Sequence, residues 1–141
     1  MVGSTPRRTR SLQLKPVLIV MTKTSALRAS ALLGLLAVAL GAFGAHGLKD
    51  TLNQHGMLPV WEKAVFYHFV HTVVLFVLPQ RRVFCTGPWS ALFAGTLLFS
   101  GSLYLLAVTH LKWLGWFTPL GGLCFLVGWV WLALSARKLV E

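Results

Sequence analysis

VFCTGPWSALFAGTLLFSGSLYLLAVTHLKWLGWFTPLGGLCFLVGWVWLALSA, residues 83–136, carries one formally charged side chain, Lys112. A membrane-crossing helix needs about 20 apolar residues, so the stretch is too long for one such helix and right for two. The chain must therefore turn near 110–113, which gives spans at about 89–109 and 114–134 joined as a tight helical hairpin. Upstream, 61–78 makes another span. Its charge-free part, 64–78, is short, so Glu62 and Lys63 must lie at the interface, where Lys63 snorkels and Trp61 anchors. The first span covers about 29–48, with Arg28 at its edge. This segment also has the make-up of a secretory signal peptide, with basic residues before it and small ones around Ala42 and Ala45; cleavage would leave the later spans oriented as before.

The composition agrees with four spans. Of 141 residues, 56% are apolar and 11% charged, against roughly 25% charged in a soluble protein. The net charge of +10 does not make a nucleic-acid reader, because the basic residues lie between apolar runs instead of forming a soluble basic face. They act as topology signals. The segment up to Arg28 holds six Lys and Arg, the Arg81–Arg82 loop two and the Arg137–Lys138 end two, ten on one side against Lys49, Lys63 and Lys112 on the other. Under the positive-inside rule both termini are cytoplasmic. The expectation is an all-α, four-helix transmembrane bundle over 25–138, preceded by a disordered basic tail at 1–24. Met21 opens an ordinary start for a small membrane protein, so the preceding residues can be an upstream start wrongly chosen. Without them the bias is still six against three.

Lipid tails do not drive helices together, so close packing depends on small residues. Ser30, Gly34, Ala37, Gly41 and Gly44 step by fours and threes down one face of the first span, and Ala45 extends the Ala37–Gly41 spacing. The third span offers Ala91, Gly95 and Ser102; the fourth offers Gly121, Gly122 and Gly128. Pro119, one turn into the fourth span, predicts a bend near Thr118.

Polar side chains at membrane depth are candidate functional groups by default. Tyr67, His68 and His71 lie in the second span, Ser100, Ser102 and Tyr104 at similar depth in the third, and Thr118 early in the fourth. The cluster reads as neutral histidines tying helices through hydroxyls, as a transport or proton-relay site, or as a metal site. The last lacks the four ligands zinc requires. His71 is expected to be neutral and bonded to Ser100, Ser102 or Tyr104 of the third span. At the outer surface His46, Asp50, His55, Glu62 and His110 read either as ordinary loop polarity or as an external cation site. Residues 47–56 read equally as a helical turn ending at Gly56 or as a loop.

No nucleophile motif, phosphate loop, heme spacing or carboxylate pair is present, and Cys85 and Cys124 have no metal-ligand spacing. The residues point to a non-enzymatic membrane component without a cofactor or metal, whose partners are the bilayer and either itself or another membrane protein. The alternative is a small transporter or relay using His68 and His71.

Four ordered motifs, GAFGAHGL at 41–48, WEKAVFYHFVH at 61–71, LFSGSLYLL at 98–106 and TPLGGLCFLVGW at 118–129, resemble the YgdD-like family. Its members are small bacterial inner-membrane proteins with eukaryotic relatives, catalogued under a domain of unknown function. The match covers about 25–137 and implies a four-helix membrane protein without implying an activity. Gly44, His46, Tyr67, His71, Ser100, Gly101, Ser102, Tyr104, Thr118, Pro119 and Gly121 match its motifs.

Overall fold

A computed structural model describes residues 22–135 of the chain. The basic tail before Met21 and the Arg137–Lys138 pair lie outside the described residues. Thr22 caps the first helix by accepting from the Ser25 N–H at 3.1 Å. The helices are α1 (Lys23–Ala45), a short α2 (Lys49–Gln54), α3 (Leu58–Val77), which tightens into a 3-10 turn at Leu78–Gln80, α4 (Thr86–Thr109), a 3-10 turn at Lys112–Trp116, and α5 (Phe117–Leu134). Counted with their 3-10 extensions, four helices among the described residues are long and apolar enough to cross a membrane.

The first crossing helix begins before the expected 29 and ends at Ala45, short of 48. Its charged first turn is usable because it sits at the rim: Lys23 Nζ donates to the carbonyls of Arg81 and Arg82 at 2.7 and 2.9 Å. That contact sets the start of α1 and the α3–α4 loop at one end of the bundle. At the other end, α2 replaces the loop alternative for 47–56. Its Leu52 is buried with Trp61 and Ala107, and Gly56 follows it with a φ of +65°, a conformation that costs a residue without Cβ little. The α4–α5 hairpin turns at His110, which is left-handed (φ 57°) and returns its N–H to the Leu106 carbonyl at 2.9 Å. Pro119 falls in the first turn of α5, where a missing N–H is harmless; the irregularity is the 3-10 turn before it.

In space α1 packs on α3, α3 on α4 and α4 on α5. The helices α1 and α5 flank the bundle and turn rows of large apolar side chains outward, among them Leu32, Leu35 and Val38 on one flank and Leu123, Leu126 and Val130 on the other. Such faces suit lipid and would be an aggregation liability in water.

Glycines set the close approaches. On α1, a Cβ at Gly34 would meet the Thr72 methyl at 3.5 Å, one at Gly41 would meet Val65 at 3.3 Å, and one at Gly44 would overlap the Trp61 indole. Ser30 and Ala37 are buried along the same face, while Ala45 is exposed. Between α4 and α5, Gly95 lies under Phe125, Gly128 under Leu92, and Gly121 against the backbone of Phe99. Ala91 is half-buried, and Gly122 faces open space.

Candidate functional site

The polar residues of α3 diverge. Successive helical residues are about 100° apart, so His68 and His71, three apart, point about 60° away from each other. That offset sends them to different neighbours.

His71 turns toward α5. Its Nδ1 lies 2.8 Å from the Tyr67 carbonyl, one turn back, and its Nε2 lies 3.2 Å from the Trp129 indole nitrogen. A carbonyl only accepts and an indole N–H only donates. The ring is therefore neutral, with its proton on Nδ1 and a bare Nε2 receiving the Trp129 N–H. The Phe125 ring stacks on it at 3.6 Å between centroids, with 15° between planes. The expected partner, a hydroxyl of α4, is not the one found. Direction decides the contact, and α5 occupies the side of α3 that His71 faces. Tyr67 packs its ring against Phe99 and Phe125.

His68 turns toward α4, where its Nδ1 meets the Tyr104 hydroxyl at 3.3 Å. Ser102 gives its proton to the Phe99 carbonyl at 3.0 Å, so Thr118 donates to the Ser102 oxygen across 2.8 Å, joining α4 to α5. Ser100 is buried and has no hydrogen-bond partner. The hydrogen bonds of His71, of His68 with Tyr104 and of Ser102 with Thr118 are thus separate from one another.

Two residues that sequence reasoning missed complete the set. Trp129 reads as one more apolar residue in its run; the signal was that a tryptophan at membrane depth must place its N–H somewhere. The Trp89 indole donates to the Leu75 carbonyl at 2.9 Å. Leu75 would ordinarily receive the N–H of residue 79, but that residue is Pro79, which has none. Trp61 was read as an interfacial anchor; it is buried and donates to the Leu40 carbonyl at 3.1 Å, tying α3 to α1.

Of the outer group, only His55 and His110 come together, with ring centroids 4.4 Å apart. Among the described residues no three His, Cys, Asp or Glu gather to hold a metal ion. Cys85 and Cys124 are unpaired.

The family described as "Protein of unknown function (DUF423)" matches residues 40–122. The chain is 44% identical over 110 residues to the UPF0382 membrane protein YwdK of Bacillus subtilis, covering 74% of this chain and 89% of that one. It is 40% identical over 123 residues to the UPF0382 inner membrane protein YgdD of Escherichia coli, covering 84% and 94%. A UPF0382 membrane protein of Staphylococcus aureus is 41% identical over 112 residues, covering 77% and 91%. No solved structure matches.

Proposed function

Because this chain belongs to the DUF423 family of membrane proteins, we propose that it serves as a non-enzymatic component of the bacterial inner membrane, packing with itself or a membrane partner. The observation that carries this reading is the state of His71. Both of its ring nitrogens are engaged inside the bundle, by Tyr67 and Trp129, which suits a helix tie. Outward apolar rows on α1 and α5 give a partner two flanks to approach. The charge bias supports cytoplasmic termini: Lys23, Arg81 and Arg82 share one end, while Lys49 opens α2 at the other.

Crosslinking in native membranes tests it, with a discrete homo-oligomeric or partner-bearing species as the expected result. The rival reading, a transporter or relay through His68 and His71, needs water at position 71. His71→Cys in a chain lacking Cys85 and Cys124 should resist water-soluble thiol reagents. Labelling of a folded variant, or histidine-dependent proton flux in proteoliposomes, would overturn the packing role.

A further inference from the structure

We propose that a slot between α1 and α4 is a binding site for ordered water, held by His68 Nε2 and Ser100 Oγ. The site lies apart from the His71 contact and stands whether or not the chain assembles with a partner. Its starting point is an imbalance in hydrogen bonding. Small hydroxyl residues in membrane helices ordinarily satisfy themselves by donating to the carbonyl four residues back. Ser30 does so to Ala26, Thr96 to Leu92 and Thr109 to Leu105. Ser100 does not, although it is 1% exposed, and neither does Thr72. His68, one turn before Thr72, is 5% exposed and leaves Nε2 without a partner. Unpaired polar atoms so deeply buried are rare because desolvation is costly, and each calls for an explanation, ordered water among them.

The space for such a water is present. A slot of about 110 Å³ is lined by His68, Ser100, Gly101 and Tyr104, with Leu33 and Leu36 on the α1 side. A water needs only about 10–15 Å³ by the same measure. Gly101 is among the lining residues, and a Cβ there would meet nothing within 4 Å.

The polar groups suit water specifically. Tyr104 engages Nδ1 of His68; when the phenol donates, Nε2 carries the ring proton and offers it to the slot. Leu33 lines the slot from α1, and Ser100 can donate or accept. One water can accept from Nε2 and bond the serine as well, within the roughly two to four partners usual for buried water. His68 is then the member of the pair free to exchange tautomers, whereas His71 is fixed. A single trapped water is not a conduction path.

The test is water-edited solid-state NMR of the full chain, labelled with ¹⁵N-histidine, in lipid bilayers. The expected result is polarisation transfer from water to the His68 ring nitrogens and none to His71. Gly101→Leu, which fills the slot, should abolish the transfer and leave the His71 resonances in place. Ser100→Ala should lower Tm, because the water loses an anchor. Absence of transfer to His68 in the wild-type chain would overturn the site. So would a Tm for Ser100→Ala that is unchanged or raised, the result for a serine that bonds its own helix or is simply dry. If Gly101→Leu does not fold, the wild-type contrast between the two histidines still decides.

Discussion

Gly121 and Gly122 are neighbours on α5, yet adding one methyl group to each should have opposite effects. At Gly121 the added carbon would lie 2.7 Å from Phe99 Cα and 2.8 Å from Phe99 Cβ, and closer still to the Phe99 nitrogen, where ordinary contact begins at 3.4 Å. The obstacle is mostly backbone in the middle of α4, which cannot rotate aside, so the two helices must part locally by ~0.7 Å or more. Overpacking of this kind costs about 1–3 kcal/mol. At Gly122 nothing lies within 4 Å, and replacing a mid-helix glycine with alanine is worth roughly 0.5–1 kcal/mol in favour of the helix. The propensity gain is common to both variants, so Gly121→Ala should be less stable than Gly122→Ala by the overpacking alone, about 1–3 kcal/mol, a shift of several degrees in Tm. Thermal unfolding of the two full-length variants in one detergent, followed by far-UV circular dichroism, measures the difference. Equal melting, or Gly122→Ala melting first, would refute the close approach of α4 and α5.

Trp129→Phe keeps an aromatic ring but strips the donor from His71 Nε2; it should cost roughly 0.6–1.7 kcal/mol and shift the ¹⁵N resonance of that nitrogen, and an unmoved resonance would deny the bond. Trp89→Phe should cost more, about 1–3 kcal/mol, because Pro79 leaves the Leu75 carbonyl without a substitute donor; a milder effect than that of Trp129→Phe would reverse this ranking. A reporter fused after Glu141 should be cytoplasmic and one inserted near Gly56 periplasmic, and the reverse pattern would invert the assigned topology. Gly44→Leu, which drives into the Trp61 indole, should destabilise far more than Leu35→Ala on the outward face; comparable melting would remove α1 from the packing argument.

Hydropathy made the four crossings legible because lipid demands apolar surface over a fixed length, and that demand depends on composition alone. The glycine spacing on α1 was legible for a similar reason, since steps of three and four define a face without knowledge of the neighbour. Partner choice was not. In a soluble protein the apolar stripe of a helix identifies its inner face, but in lipid every face is apolar and the stripe vanishes. Nothing in the sequence shows that α5 folds back alongside α3, so His71 was matched by depth to α4 and Trp129 was passed over. Gly121 and Gly122 illustrate the same limit: both are glycines in one helix, and only the direction of α4 separates a contact from open space. The short α2 was ambiguous because its burial rests on one residue, Leu52, which packs under Trp61 and Ala107.

The hydrogen bonds of the bundle act by selection more than by strength. An interhelical bond in a membrane contributes about 0.6 kcal/mol on average, too little for a few of them to hold four helices. Their distribution is informative, however. Indole N–H groups join α3 to α1 through Trp61, to α4 through Trp89 and to α5 through Trp129, so the helix that touches all three others in side-chain contacts takes part in every one. A rotated or re-ordered packing would still bury apolar against apolar at little cost, but it would strand an indole donor and its acceptor where no water can replace them. The Leu75 carbonyl is the clearest case, because Pro79 has already removed its helical partner. Glycines let the backbones approach, and the indoles make one approach preferable to the others.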